Sequence, residues 1–118
     1  MPDAEGHPTT EEMDLLTVFK ALSDPLRYHV MATLVRQVED TERTCTSFGL
    51  PVSKSTRTHH FRILREAGLI RQVDRGNSRC AQLRRQDIAD RFPGLLRLLA
   101  DNPVPPGTEA LSREAQHV

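Results

Sequence analysis

A chain of 118 residues is long enough for one small domain with a modest core. No apolar run approaches the roughly 18 residues that span a bilayer, and two cysteines are too few for a disulfide scaffold, so a cytoplasmic protein with reduced thiols and no membrane association is expected. Its 16 basic and 16 acidic side chains cancel overall but not locally: residues 53–85 hold nine Lys/Arg against two Asp/Glu, and the remainder is correspondingly acidic. A basic stretch in a neutral chain is the footprint of a polyanion-binding face.

The opening "MPDAEGHPTTEE" is acidic and lacks the hydrophobic core of a signal peptide. Residues 1–8 read as a disordered arm, being polar and broken by Pro2, Gly6 and Pro8. Thr9 and Glu12 have capping-box spacing, and Leu15, Leu16, Phe19 and Leu22 recur at helical intervals, so a first helix is expected over about 10–22. In "SDPLRYHVMATLVRQVE", Asp24 is placed to cap a second helix with Pro25 at its first position. Leu26, Val30, Leu34 and Val38 form its inward stripe, with Met31 and Val35 beside it. One helical turn near Thr46–Phe48 is expected before Gly49 and Pro51 stop it.

Ser53 then caps a helix through about Ala67, with Gly68 just past its end. At about 100° per residue, Ser55, Thr58, His59 and Arg62 share one polar face, with Lys54 near its start. Phe61, Ile63, Leu64 and Ala67 make the other side apolar. Such a helix is held by its back and presents hydroxyls and guanidiniums in front, and its diameter suits a DNA major groove. "LIRQV" and "RCAQLR" around "DRGNS" predict a β-hairpin whose Arg71, Arg75 and Arg79 can follow phosphates or enter a minor groove. Asp87 is placed to start a last helix, "DIADRFPGLLRLLA", broken or kinked at Pro93. Residues 102–118 read as a flexible tail. The expected fold is mainly α with a small β-hairpin wing, a winged helix-turn-helix over residues 9–101.

"ALSDPLRYHVMATL" together with "SKSTRTHHFRILREAGLIRQVDRGNSR" resembles the ArsR/SmtB family of winged-helix repressors over roughly residues 15–99. The resemblance implies a homodimer on a palindromic operator in double-stranded DNA. It sets Ser55, Thr56, Thr58 and His60 where the family contacts DNA or fixes its recognition helix, and puts Arg57 where the family usually has Val. It also implies a dimer seam from Leu15, Leu16 and Phe19 with Leu95, Leu96, Leu98 and Leu99. The sequence departs from the family's metal box: Cys45 stands without a neighbouring cysteine, so no metal and no cofactor is expected.

The DNA-facing set is therefore Lys54, Ser55, Thr56, Arg57, Thr58, His59, His60, Arg62, Arg75 and Arg79. His60, pointing away from His59, is expected to give an orienting hydrogen bond where this helix meets the wing. Arg84 and Arg85 are either outer phosphate contacts or plain surface. Cys80 reads as a small buried hydrophobe, though with Cys45 it could form a redox pair. No phosphate loop, H-E-x-x-H or G-x-S-x-G occurs, so no enzyme is expected. The reading is a DNA-binding transcriptional repressor whose effector the sequence does not name. The alternatives are a winged-helix module for protein or RNA, and a thiol-sensing regulator using Cys45.

Overall fold

A computed structural model describes residues 2–104. A 3-10 turn, Thr10–Glu12, leads into α1 (Leu15–Leu22) and α2 (Pro25–Val35). Strand β1 (Arg43–Thr44), a 3-10 turn (Cys45–Phe48), α3 (Lys54–Glu66), β2 (Ile70–Asp74) and β3 (Arg79–Leu83) follow, then α4 (Arg85–Arg91) and α5 (Leu95–Asp101). The three strands form an antiparallel sheet in the order β1-β3-β2. Among the described residues, no helix is long and apolar enough to cross a membrane. The residue range expected as a tail lies largely outside the described residues, which end at Val104.

The local signals act largely as their chemistry requires. Asp24 accepts hydrogen bonds from the Leu26 and Arg27 amides, and Pro25 opens α2. Ser53 accepts from the Thr56 amide at the start of α3. At its end, the Leu69 amide reaches the Leu64 carbonyl and the Gly68 amide the Arg65 carbonyl, a Schellman stop. Only glycine fits there: φ is +89° and a Cβ would lie 2.6 Å from Met13 Cγ. One core unites Val18 and Ala21 of α1, Val30, Met31 and Leu34 of α2, Phe61 and Leu64 of α3, Leu69, Ile70 and Ala81 around the sheet, Ile88 of α4 and Leu99 of α5.

Several expectations are corrected. The first helix is split: the Thr9–Glu12 capping box forms, but it closes only a 3-10 turn, and α1 begins afresh with Asp14 as its cap. Helix α2 ends at Val35, so Val38 lies in a loop and is fully exposed. Asp87 does not start α4, whose cap position is Arg84; Asp87 sits inside the first turn and accepts from Arg84 Nε and the Thr10 hydroxyl. Pro93 does separate α4 from α5. Strand β1 carries no local sequence signal, being only two residues long and paired entirely with the distant β3, Arg43 facing Ala81 and Thr44 facing Cys80.

The N-terminal arm is the largest difference. His7 and Pro8 are buried. Asp3 gathers the segment into a tight loop by accepting from the Glu5 and His7 amides. The Gln72 amide, on the outer side of β2, donates to His7 Nε2 at 3.0 Å, and Arg84 donates to the Pro8 carbonyl. The arm thus follows the free edge of the sheet, held by pairings 65 and 76 residues apart in sequence that no local pattern encodes.

Candidate nucleic-acid interface

The exposed side of α3 is built by what fixes its buried side. Phe61 and Leu64 are fully enclosed, and Phe48 from the preceding 3-10 turn packs on Phe61 with ring centroids 5.6 Å apart. A polar clamp holds the same helix. Arg27 Nε donates to the Ala21 carbonyl at the end of α1, while its Nη1 donates to His60 Nδ1 at 3.0 Å. Arg27 has no acceptor to offer, so His60 Nδ1 is the lone-pair nitrogen. The phrase "ALSDPLR" therefore supplies the cap of α2, the closure of α1 and the latch on α3. Burial lowers the His60 pKa, against the opposing pull of Asp24.

This places His60 away from the DNA-facing set. It is 7% exposed and lies between α2 and α3, not at the junction of helix and wing. The expected orienting bond exists, with a partner the sequence did not identify. The other members on α3 are open: Lys54, Ser55, Thr56, Thr58, His59 and Arg62 are exposed and Arg57 is half-buried. Arg62 donates to His59 Nδ1 at 2.9 Å and lies 3.9 Å from Glu66, so these side chains form a small exposed chain along the helix.

The hairpin stands beside this face. Arg75 and Arg79 are both exposed but differ. Arg75 is held by Glu42 through three bonds of 2.6, 2.8 and 3.3 Å, whereas Arg79 makes no hydrogen bond or ion pair with another described residue. Arg71, Arg57 and Lys54 are likewise without one. Between α3 and the hairpin lies a cleft of about 480 Å³, lined on one side by Lys54, Arg57 and Thr58 and on the other by Asn77, Ser78 and Arg79.

Arg84 and Arg85 are not part of this surface. Arg84 is buried on Asp87 and the Pro8 carbonyl, and Arg85 grips Asp40 and the Val35 carbonyl at the end of α2. Cys45 and Cys80 are both buried free thiols. Burial pushes the Cys45 thiol up, although a Gln72 hydrogen bond and the charges of Arg79 and Arg57 pull the other way. Asp3, Glu5 and His7 bring three potential metal donors within 4.8 Å. The Gln72 N–H occupies the lone pair on His7 Nε2, so Nδ1 carries the proton and gives it to Asp3. That histidine has no lone pair left for a cation.

The residues expected at a dimer seam divide. Leu16, Phe19 and Leu98 are 60%, 53% and 61% exposed, and Leu15 joins them. Leu95 and Leu96 are half-buried against the core, and Leu99 is buried within it at 3%, which removes Leu99 from any seam.

No family model matches the chain. It is 34% identical over 84 residues, 70% of its length and 82% of the relative's, to the uncharacterized HTH-type transcriptional regulator YceK of Bacillus subtilis (strain 168). With a helix presented by its buried back, a flanking hairpin and this likeness together, the chain belongs to the HTH-type transcriptional regulators.

Proposed function

We propose that this regulator is a winged-helix repressor of the ArsR/SmtB type, acting as a homodimer on a near-palindromic operator. One observation carries the reading: α3 is locked through Phe61, Leu64 and His60 while Ser55, Thr56, Thr58, His59 and Arg62 stay open to solvent. Lys54, Arg57, Arg71 and Arg79, which form no ion pair with a described carboxylate, are the groups suited to phosphate. The exposed Leu15, Leu16, Phe19 and Leu98 form an apolar face on the first and last helices, which supports pairing with a second copy. Two copies would then address half-sites about 34–36 Å apart. Repression follows from occupying the promoter, and release from a small change in the angle between the two α3 helices.

The thiol-sensing alternative draws less support, because a buried Cys45 held in its protonated form is a poor nucleophile. The direct test is fluorescence anisotropy with the DNA upstream of the protein's own gene. Affinity should fall ~10³–10⁵-fold between 50 and 200 mM salt if about 6–10 phosphates are neutralised. Affinity indifferent to salt, or equal affinity for scrambled DNA, would falsify the reading. Equilibrium sedimentation should give a dimer that Leu16→Glu converts to monomer.

A further inference from the structure

Most basic side chains among the described residues are already occupied. Arg27, Arg43, Arg65, Arg75, Arg84, Arg85, Arg91 and Arg97 all donate to carbonyls, carboxylates or other side-chain acceptors within the chain. Of the six described basic residues that make no side-chain hydrogen bond or ion pair with another described residue, Lys54, Arg57 and Arg79 converge on the cleft between α3 and the hairpin, whereas Lys20, Arg36 and Arg71 lie outside it. Arg57 matters most. It is half-buried, so its charge is partly withdrawn from water with no ion-paired carboxylate among the described residues. It also stands where the ArsR/SmtB pattern has an apolar residue, so the charge here belongs to this chain's own departure from that pattern.

The remainder of the lining fits the same chemistry. Thr46, Thr58, Asn77 and Ser78 add neutral donors at the rim. The one carboxylate, Asp74, is engaged by the Gly76 amide at the hairpin tip. Phe61 and the buried Cys45 contribute a less polar floor. A volume of about 480 Å³ is in the range of small-molecule sites, roughly 300–1,000 Å³, and exceeds what a single backbone phosphate needs. Three cations, neutral donors and an apolar floor make a site for a phosphate group carried on a small body.

We infer that the cleft between α3 and the hairpin is a phosphate-binding site, filled by a DNA backbone phosphate in the operator complex and by a free phosphorylated small molecule otherwise, so that the two compete. The competition rests on the DNA-binding reading; the site itself does not. Anion occupancy would then release operator by mass action, with no change of fold required.

The test uses the full chain and inorganic pyrophosphate as the probe, with sodium chloride holding ionic strength constant. In amide-resolved NMR without DNA, pyrophosphate should shift residues 54–58 and 76–80 along saturable curves. Arg57→Val, which restores an apolar residue, and Arg79→Ala should abolish those shifts while leaving the rest of the spectrum in place. Shifts no larger than chloride produces, or shifts that survive both substitutions, overturn the site. In anisotropy, pyrophosphate at about twice its dissociation constant should weaken DNA binding about threefold beyond matched chloride, and Arg57→Val should remove that difference. Pyrophosphate that binds the cleft without weakening DNA binding overturns the competition. A chain that binds pyrophosphate but no DNA would sink the regulator mechanism and leave the site standing.

Discussion

Two groups of arginines, close in sequence and alike in composition, do opposite work. At the start of α4, Arg84 and Arg85 are consumed by the protein: one is buried against Asp87 and the arm, the other ties Asp40 to the end of α2. On α3 and the hairpin, Arg57, Arg71 and Arg79 make no hydrogen bond or ion pair with another described residue, although Arg71 acts on Asp87 through its charge. A count of charge along the chain merges the two. What separates them is whether a carboxylate or an orphan carbonyl lies within reach, and that depends on tertiary placement. The basic stretch is thus part scaffold and part interface.

The largest effect should come from breaking the scaffold half. Arg84→Ala leaves the Asp87 carboxylate and the Pro8 carbonyl without their buried donor and should cost about 2–4 kcal/mol in urea denaturation. Arg57→Ala or Arg79→Ala should stay within about 0.5 kcal/mol of the parent in the same assay. Equal losses in both groups would erase the distinction. On the interface half, Thr58→Ala or Arg62→Ala should reduce discrimination between operator and mismatched DNA by ~1–3 kcal/mol if a base edge is read. Arg79→Ala should weaken all DNA alike and lower the salt slope by about 1. Arg75→Ala should do less, because its charge is already shared with Glu42.

The smallest effect is a pH response of the latch on α3. Burial lowers the His60 pKa in the folded protein, so the unfolded chain binds the proton more readily. The contribution is complete above the unfolded value, near 6.5, and is lost as pH falls through that value towards the lower folded one. Stability should therefore decline on acidification from about pH 7 to pH 5, and His60→Gln should flatten that decline in thermal melts. An unchanged slope would show that the Arg27–His60 contact is incidental.

Much of the interface could be read in the sequence because it is one local element. Ser53, Gly68 and the alternation of Phe61 and Leu64 with Ser55 and Thr58 specify an amphipathic helix without outside help. The hairpin was legible for the same reason. The place of His60 is not legible locally, because helical phase alone cannot distinguish a front-edge histidine from one reached by Arg27, 33 residues earlier. The same holds for Leu99: in a leucine-rich helix, periodicity does not reveal which leucine the core takes. The order of the arm is hidden by its composition, which is that of a disordered segment. The local Asp3–His7 spacing was its only signal, and the stabilising partners Gln72 and Arg84 lie on distant elements.

That arm has a practical bearing on how the molecule is handled. An unprotected border strand offers backbone donors to any passing extended chain, which is how soluble proteins begin to stick to one another. Here His7 occupies the Gln72 amide and bars that approach. A shortened version beginning at Thr9, designed on the assumption that the preceding residues are dispensable, should precipitate at concentrations where the longer protein stays clear.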